Sequence, residues 1–361
     1  MILVFVVVLT ILLIIFNFIF LLFVKQIENG NSISEVPEIK FSILIPFKNE
    51  EKNLLRMIKS LNKLIYPKDY YEIIFINDNT TDSSVQIIEN NLELKINYKI
   101  ISADGKLLAH KKGALDIGLR ESKHEYIITT DADAEIPNNL LSSYSDKFKQ
   151  NFDIVFGPTH LIGNKTFASL ISQFYNLRNQ LLVFSMANLG SPYSAMGSNL
   201  AYNKKKFVEI GGYEFFNEVI SGDDDLLIRE GVKRKFKIGS ILSTQNLVKS
   251  QSVTNLKSFL NQKARHTDTS NYYLLKDKLK LTIWHLANLI SLLLVWFAYL
   301  DYFFLVPFAV KLLFDIIVIK SKDKIFLYRF SLSEIIFLQI IYEMLLVINY
   351  FNATLKRYSW K

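Results

Sequence analysis

Ile2 to Val24 is an apolar run broken only by Thr10 and Asn17 and closed by Lys25, and Leu281–Leu300, Phe303–Ile319 and Leu332–Phe351 repeat the pattern towards the other end of the 361 residues. At ~1.5 Å of rise per residue, runs of this kind suit the ~30 Å hydrocarbon core of a bilayer as helices. Inside that layer a helix pairs its own backbone N–H and C=O groups, which an isolated strand cannot do. The first run lacks the basic leader and small-residue cleavage site of a signal peptide and is expected to be a retained anchor. Half of the residues are apolar and 14% aromatic, and that excess sits at the two ends. The net charge of +8 would suit nucleic acid or an anionic bilayer surface. Beside four apolar runs the bilayer is the expected partner, and nucleic acid is not.

Between the ends the pattern changes to short apolar runs alternating with amphipathic ones. Phe41–Ile45 reads as a strand ended by Pro46, and Asn49–Leu64 as a helix capped by Asn49, with Leu54, Leu55, Ile58 and Leu61 on one face. Further strands are expected at Glu72–Ile76, Tyr98–Ile101 and Tyr126–Thr130, with helices to about Asn90 and Leu119. This alternation implies an α/β domain with a parallel sheet covered on both faces. A strand at Asp153–Gly157 and helices at Thr166–Ala187, from Ser221 to about Val232, and Asn255–Arg265 complete the reading. Lys320–Lys324 reads as a basic break between two membrane runs, and Asp301, Asp315, Glu334 and Glu343 as acids within or beside the runs that pack or snorkel.

Four of the strands end in polar loops: Pro46–Glu50, Asn77–Asn79, Asp104–Lys106 and Asp131–Asp133. In open α/β sheets ligands bind beyond the carboxyl ends of the strands, so these loops describe one cleft for a polar ligand. Asp131-Ala132-Asp133 alone is as well explained by an Asp-rich turn as by a site. Among the other loops, its two hard carboxylates suit a divalent cation carrying phosphate oxygens. Asp78 could accept from a base N–H, and Lys106 could neutralise phosphate. There is no glycine-rich phosphate loop, no cysteine and no zinc spacing of histidines. A nucleotide held through a metal-bound diphosphate is therefore the better reading.

The stretches Phe41–Glu51, Phe75–Ser83, Gly105–Lys106, Asp131–Asp133, Gly197–Tyr202 with Gly211–Tyr213, and Gly222–Leu226 resemble, in order, the motifs of family 2 glycosyltransferases. The resemblance covers about Phe41 to Tyr273 and is strongest to the membrane-bound branch containing cellulose, chitin and hyaluronan synthases and ceramide glucosyltransferase. It implies a GT-A, Rossmann-like domain and inverting transfer from a nucleotide-diphosphate sugar, dependent on Mg2+ or Mn2+. Carried over by position, Asp78 with Pro46 and Glu50 contacts the nucleotide, Asp131 holds the nucleotide-sugar, and Asp133, with Asp131 beside it, binds the metal. Asp224 is the expected base, with Asp223 as second choice because three aspartates run together; an acidic helix N-terminus is the plain alternative. Gln262, Arg265 and His266 resemble a Q-x-x-R-W motif bordering the acceptor and diphosphate, with His in place of Trp, although an amphipathic helix could carry them by chance.

The expected organisation is an anchor at 1–25, a linker at 26–40, a GT-A domain at 41–240, an interfacial segment at 241–280, membrane helices at 281–352 and a basic tail at 353–361. The expected function is a multi-pass membrane transferase with its catalytic domain on the cytoplasmic side. Its expected donor is a UDP-sugar first of all, and its acceptor a lipid or lipid-linked saccharide. A processive polysaccharide synthase and a non-catalytic nucleotide-sugar-binding scaffold are the alternatives.

Overall fold

The computed structural model describes residues 2–26, 39–164, 166–216, 219 and 221–356. Nearly all of the expected linker and most of the basic tail lie outside these residues. Two compact units emerge, each assembled from separate stretches of chain. A helical unit comprises Met1–Lys25, Gly163–Ser191 and Ser252–Lys361, and an α/β unit comprises Gln26–Ile162 and Pro192–Gln251.

In chain order the helical unit contains α1 (Ile2–Phe23), and the α/β unit then contributes β1 (Phe41–Phe47), α2 (Glu51–Leu61), β2 (Tyr71–Asn77), α3 (Ser84–Asn91), β3 (Tyr98–Ser102), α4 (His110–Glu121), β4 (Tyr126–Thr129), α5 (Leu140–Lys149), β5 (Ile154–Phe156) and β6 (Thr159–Ile162). After α6 (Phe167–Asn188) of the helical unit come β7 (Leu200–Asn203), α7 (Lys204–Ile210), α8 (Asp223–Lys233), β8 (Ile238–Ser240) and β9 (Val248–Gln251). The chain finishes in the helical unit with α9 (Leu256–Thr269), α10 (Leu275–Leu294), α11 (Val306–Phe326) and α12 (Leu332–Thr354).

Seven strands of the α/β unit form one sheet in the order β3-β2-β1-β4-β7-β5-β8, while β6 and β9 pair separately. β1 runs parallel to both β2 and β4, so the chain leaves β1 towards one side and later returns to the other. That reversal is the topological switch point where α/β sheets open a crevice. Every β1 residue except Pro46 is buried, and so are Tyr71 to Ile76 of β2, as expected for strands covered on both faces. On α2, Leu54, Met57, Ile58 and Leu61 recur at helical spacing and are buried. On α4, a Cβ at Gly118 would come 2.5 Å from Ile76 Cδ1, so only glycine lets this helix lie so close to β2.

Three expectations need correction. The sheet is mixed rather than wholly parallel, because β7 runs antiparallel between β4 and β5. Leu200 pairs with Thr129, so the loop entering β7 reaches the same edge as the loop leaving β4. Pro46 lies inside β1, in register with Ile76, where a proline near the strand end removes at most one ladder bond. Asn49 does not cap α2; it adopts φ +55, donates its N–H to Thr80 Oγ1 at 3.1 Å, and accepts the Thr81 N–H at 2.9 Å. It thereby ties the loop after β1 to the loop after β2.

In the helical unit four segments are long and apolar enough to cross a membrane: Ile2–Phe23, Leu275–Phe297, Tyr302–Phe326 and Leu332–Thr354. Lys320–Lys324 is no break. α11 runs through it to Phe326, and basic side chains in the last turns suit the negative end of the helix dipole. The acids divide into two kinds. Asp301 and Glu334 are helix caps, accepting from the Phe303 N–H and from Ser331. Asp315 and Glu343 are buried and do not snorkel. Asp315 takes Arg178 Nη1 at 2.8 Å and Lys311 Nζ at 2.7 Å, and Lys311 also lies 3.4 Å from Glu343. The Arg178 guanidinium also sits 5.5 Å from the rings of Trp284 and Tyr342. Two cations and two carboxylates balance, which is what an apolar interior demands. Arg178→Met should therefore cost about 3–5 kcal/mol in detergent unfolding, and adding Asp315→Asn should restore much of it.

Candidate active site

The carboxyl ends of the parallel strands place the polar loops side by side. Phe47, Asn77 and Ser102 stand level across β1, β2 and β3, and β4 ends opposite Leu44. The chain beyond Thr129 therefore continues along the end of β1, and Thr130 N–H still reaches Leu44 O at 3.3 Å. Asp78 follows β2 with its N–H on Phe47 O at 2.9 Å, and its carboxylate pairs with Lys106. Gly105 at φ +70 makes the turn that presents Lys106.

Asp131 pairs with Lys111 of α4, while the Asp133 carbonyl accepts Arg56 Nη2 at 2.6 Å. Burial, then Asp131 and Glu50, push the Asp133 carboxyl up to about 7, against the pull of Lys111 and Arg56. Three carboxylates thus crowd one corner of the switch point. Among the described residues no three His, Asp or Glu side chains stand at metal-ligand spacing. The donor set is hard oxygen from one or two carboxylates, which fits Mg2+ or Mn2+ completed by phosphate and water.

A second acidic group begins α8. Gly222 at φ +83 turns the chain into the helix, and Asp223, Asp224 and Asp225 form its first turn. Asp225 is engaged by the Ser194 hydroxyl. Asp224 Oδ1 accepts the Asp225 N–H at 3.0 Å, and a Cβ at Gly197 would stand 2.9 Å from Asp224 Oδ2. The carbonyl of Gly197 accepts from Thr129 Oγ1 at 3.3 Å, so the loop before β7 lies between the end of β4 and the start of α8. Burial, and then Asp225 and Asp223, raise the Asp224 carboxyl well above its ordinary range.

Lys111 links the two acidic groups. Burial works against its charge, but Asp131, Asp223 and Asp224 together hold the ammonium above the usual lysine range. Its neighbour Lys112 is buried and donates to the carbonyls of Phe216 at 2.9 Å, Val219, and Ser221 at 3.4 Å. It anchors the segment that leads into Gly222 and the aspartates.

Residues 42–211 match the family described as Glycosyl transferase family 2. This stretch is a glycosyl transferase family 2 domain. The chain is 27% identical over 209 residues to Probable glycosyltransferase YdaM of Bacillus subtilis, covering 55% of this chain and 47% of that protein. It is 33% identical over 100 residues to a beta-monoglucosyldiacylglycerol synthase of a Nostoc species, covering 28% of this chain and 21% of the relative. The chain thus spans less than half the length of either relative. A mannosyltransferase of Pyrobaculum calidifontis, solved with GDP-Man and Mn2+, shares the fold with a TM-score of 0.57 at 13% identity, covering 97% of this chain and 99% of that one.

The α/β unit brings together Pro46, Glu50, Asp78, Lys106, Asp131, Asp133, Asp223 and Asp224. Gln262, Arg265 and His266 belong instead to α9 of the helical unit, at i, i+3 and i+4 on that helix. Sequence reasoning missed Arg56, Lys111 and Lys112. A signal was present, since two lysines in the first turn of a helix oppose its dipole and so imply acidic or carbonyl partners. Lys112→Met would leave three carbonyls without their donor and should cost about 1–3 kcal/mol in denaturant unfolding, with helix content unchanged.

Proposed function

We propose that this protein is a membrane-bound, inverting glycosyltransferase that uses a nucleotide-diphosphate sugar, with a UDP-sugar as the first donor to test. The observation that carries this reading is the pairing of two acidic groups at one sheet edge. Asp131 and Asp133 stand at the switch point, Asp224 stands across the Gly197 loop, and Lys111, paired with Asp131, also lies in the field of Asp223 and Asp224. A single acidic patch would serve binding alone, whereas displacement at an anomeric carbon needs a base on the side opposite the leaving group.

In this reading Asp78 and the Pro46–Glu50 loop receive the nucleoside, and Lys106 and Lys111 offset the charge of the diphosphate. Asp133 with Asp131 would hold Mg2+ or Mn2+, which when bound supplies Lewis-acid stabilisation to the departing diphosphate. Asp224 takes the proton of the acceptor hydroxyl as its oxygen bonds to the anomeric carbon and the bond to the diphosphate breaks. The raised affinity of Asp224 for a proton, caused first by burial, suits that task. Asp225 is less suited, because Ser194 already occupies it.

The proposed acceptor is a lipid or lipid-linked saccharide. The helices long enough to span a bilayer and the relatives named for glucosyldiacylglycerol synthesis support this. Gln262, Arg265 and His266 are proposed to serve the acceptor and diphosphate side. Four crossings would put the α/β segment and the connection between α11 and α12 on one side of the membrane, and the lysines in the last turns of α11, with Arg329 after it, favour the cytoplasm.

Three variants test the assignment in purified protein supplied with Mn2+, nucleotide-sugars and membrane lipid extract. Asp224→Asn should abolish transfer while sparing nucleotide binding; undiminished transfer would remove Asp224 as the base. Asp133→Ala should lose metal-dependent binding of nucleoside diphosphate, and retained binding would contradict its ligand role. Gly197→Ala, whose new methyl presses on Asp224, should lower turnover about tenfold or more with nucleotide affinity kept.

A further inference from the structure

A cleft of about 520 Å3 opens in the α/β unit between α2, the segment after Asp133, and the stretch Gln245–Lys249. Its lining holds Arg56, Lys59, Lys63 and Lys249 against one acid, Glu135. It shares no residue with Glu50, Asp78, Lys106, Asp131, Asp133 or Asp224. Arg56, Lys59 and Lys63 recur at i, i+3 and i+7, so α2 and its C-terminal extension present them on one face. Basic residues near a helix C-terminus are ordinary partners of its dipole, which accounts for Lys59 and Lys63. It does not account for Arg56 in the middle of α2, nor for Lys249 on β9.

The Arg56 guanidinium is only half used. Nη2 donates to the Asp133 carbonyl at 2.6 Å, while Nε is buried without a hydrogen-bond partner. A buried donor left unpaired is costly, and a guanidinium edge matches the oxygens of a phosphate. The opposite wall is firm, since Glu135 and Lys249 exchange backbone hydrogen bonds at 2.7 and 3.0 Å. Asn139 and Gln245 add neutral polar groups to the same lining. Volume, charge and a waiting donor coincide.

We propose that this cleft is a binding site for a phosphate-bearing anion, separate from the position of the donor diphosphate. A phosphate on the free edge of Arg56 would fix the side chain that holds the Asp133 carbonyl. Occupancy would therefore steady the turn that carries Asp131 and Asp133. A soluble phosphorylated compound and the headgroup of an anionic phospholipid both carry this chemistry.

The test uses the full chain in neutral maltoside micelles, with equilibrium dialysis of radiolabelled inorganic phosphate and of glycerol 1-phosphate. Saturable binding is expected, weakened about tenfold or more in Lys59→Gln/Lys63→Gln and abolished in Lys59→Glu/Lys63→Glu. It should be unchanged in Lys106→Gln, which alters the donor side alone. Both cleft lysines are exposed, so their replacement leaves packing intact. Repeating the dialysis in phosphatidylcholine nanodiscs with and without phosphatidylglycerol distinguishes the sources. Loss of phosphate binding with the anionic lipid identifies a headgroup, and undiminished binding identifies a soluble compound. No saturable binding, or binding indifferent to Lys59→Glu/Lys63→Glu, overturns the proposal. No sugar transfer enters the measurement, so its failure leaves the transferase reading as it stands.

Discussion

The ion pair between Lys111 and Asp131 is the interaction on which the functional edge depends. Carboxylates gather around Lys111 in two groups: Glu50 after β1 with Asp131 and Asp133 after β4, and Asp223 and Asp224 at the start of α8. Like charges so placed repel, and burial makes the repulsion worse. Lys111 answers both groups at once from the first turn of α4, a position its own helix dipole disfavours. Its neighbour Lys112 turns inward and holds the segment before α8 through carbonyl oxygens. Two adjacent lysines thus organise the site, one through charge and one through hydrogen bonds.

The same logic of compensated charge governs the helical unit by a different route. There Arg178, Lys311, Asp315 and Glu343 come from three helices and neutralise one another away from water. Such a network is weak as a source of net stability but strict about which helix faces meet, because any mismatch strands a charge. At the sheet edge, by contrast, carboxylates outnumber nearby cations, which leaves room for a divalent ion and a charged ligand. One arrangement is closed and the other is open.

Much of the fold was legible in the residues. Membrane-length runs, buried strands and amphipathic α2 each carry a periodicity that burial imposes directly. The errors fall where that periodicity is too short or where a local rule competes with a distant partner. β6, β8 and β9 have three or four residues each, too few to show alternation. Asn49 has the composition of a helix cap, yet its side chain serves Thr81 in the loop after β2 instead. Asp315 and Glu343 could be seen as intramembrane acids, and Lys311 stands four residues before Asp315 on the same helix, but Arg178 could not be named as a partner because it is far away in the chain.

By itself the sequence determined the α/β class, the apolar segments, and the four loops at which chemistry could occur, because strand burial and loop polarity are local consequences of residue type. Only the tertiary structure decided that β7 enters antiparallel and brings Gly197 against Asp224. It also decided that Lys111 stands between the two acidic groups, and that the cationic face of α2 closes a cleft with Lys249. These relations join residues tens of positions apart. They follow from sheet order and helix packing, which no local pattern encodes.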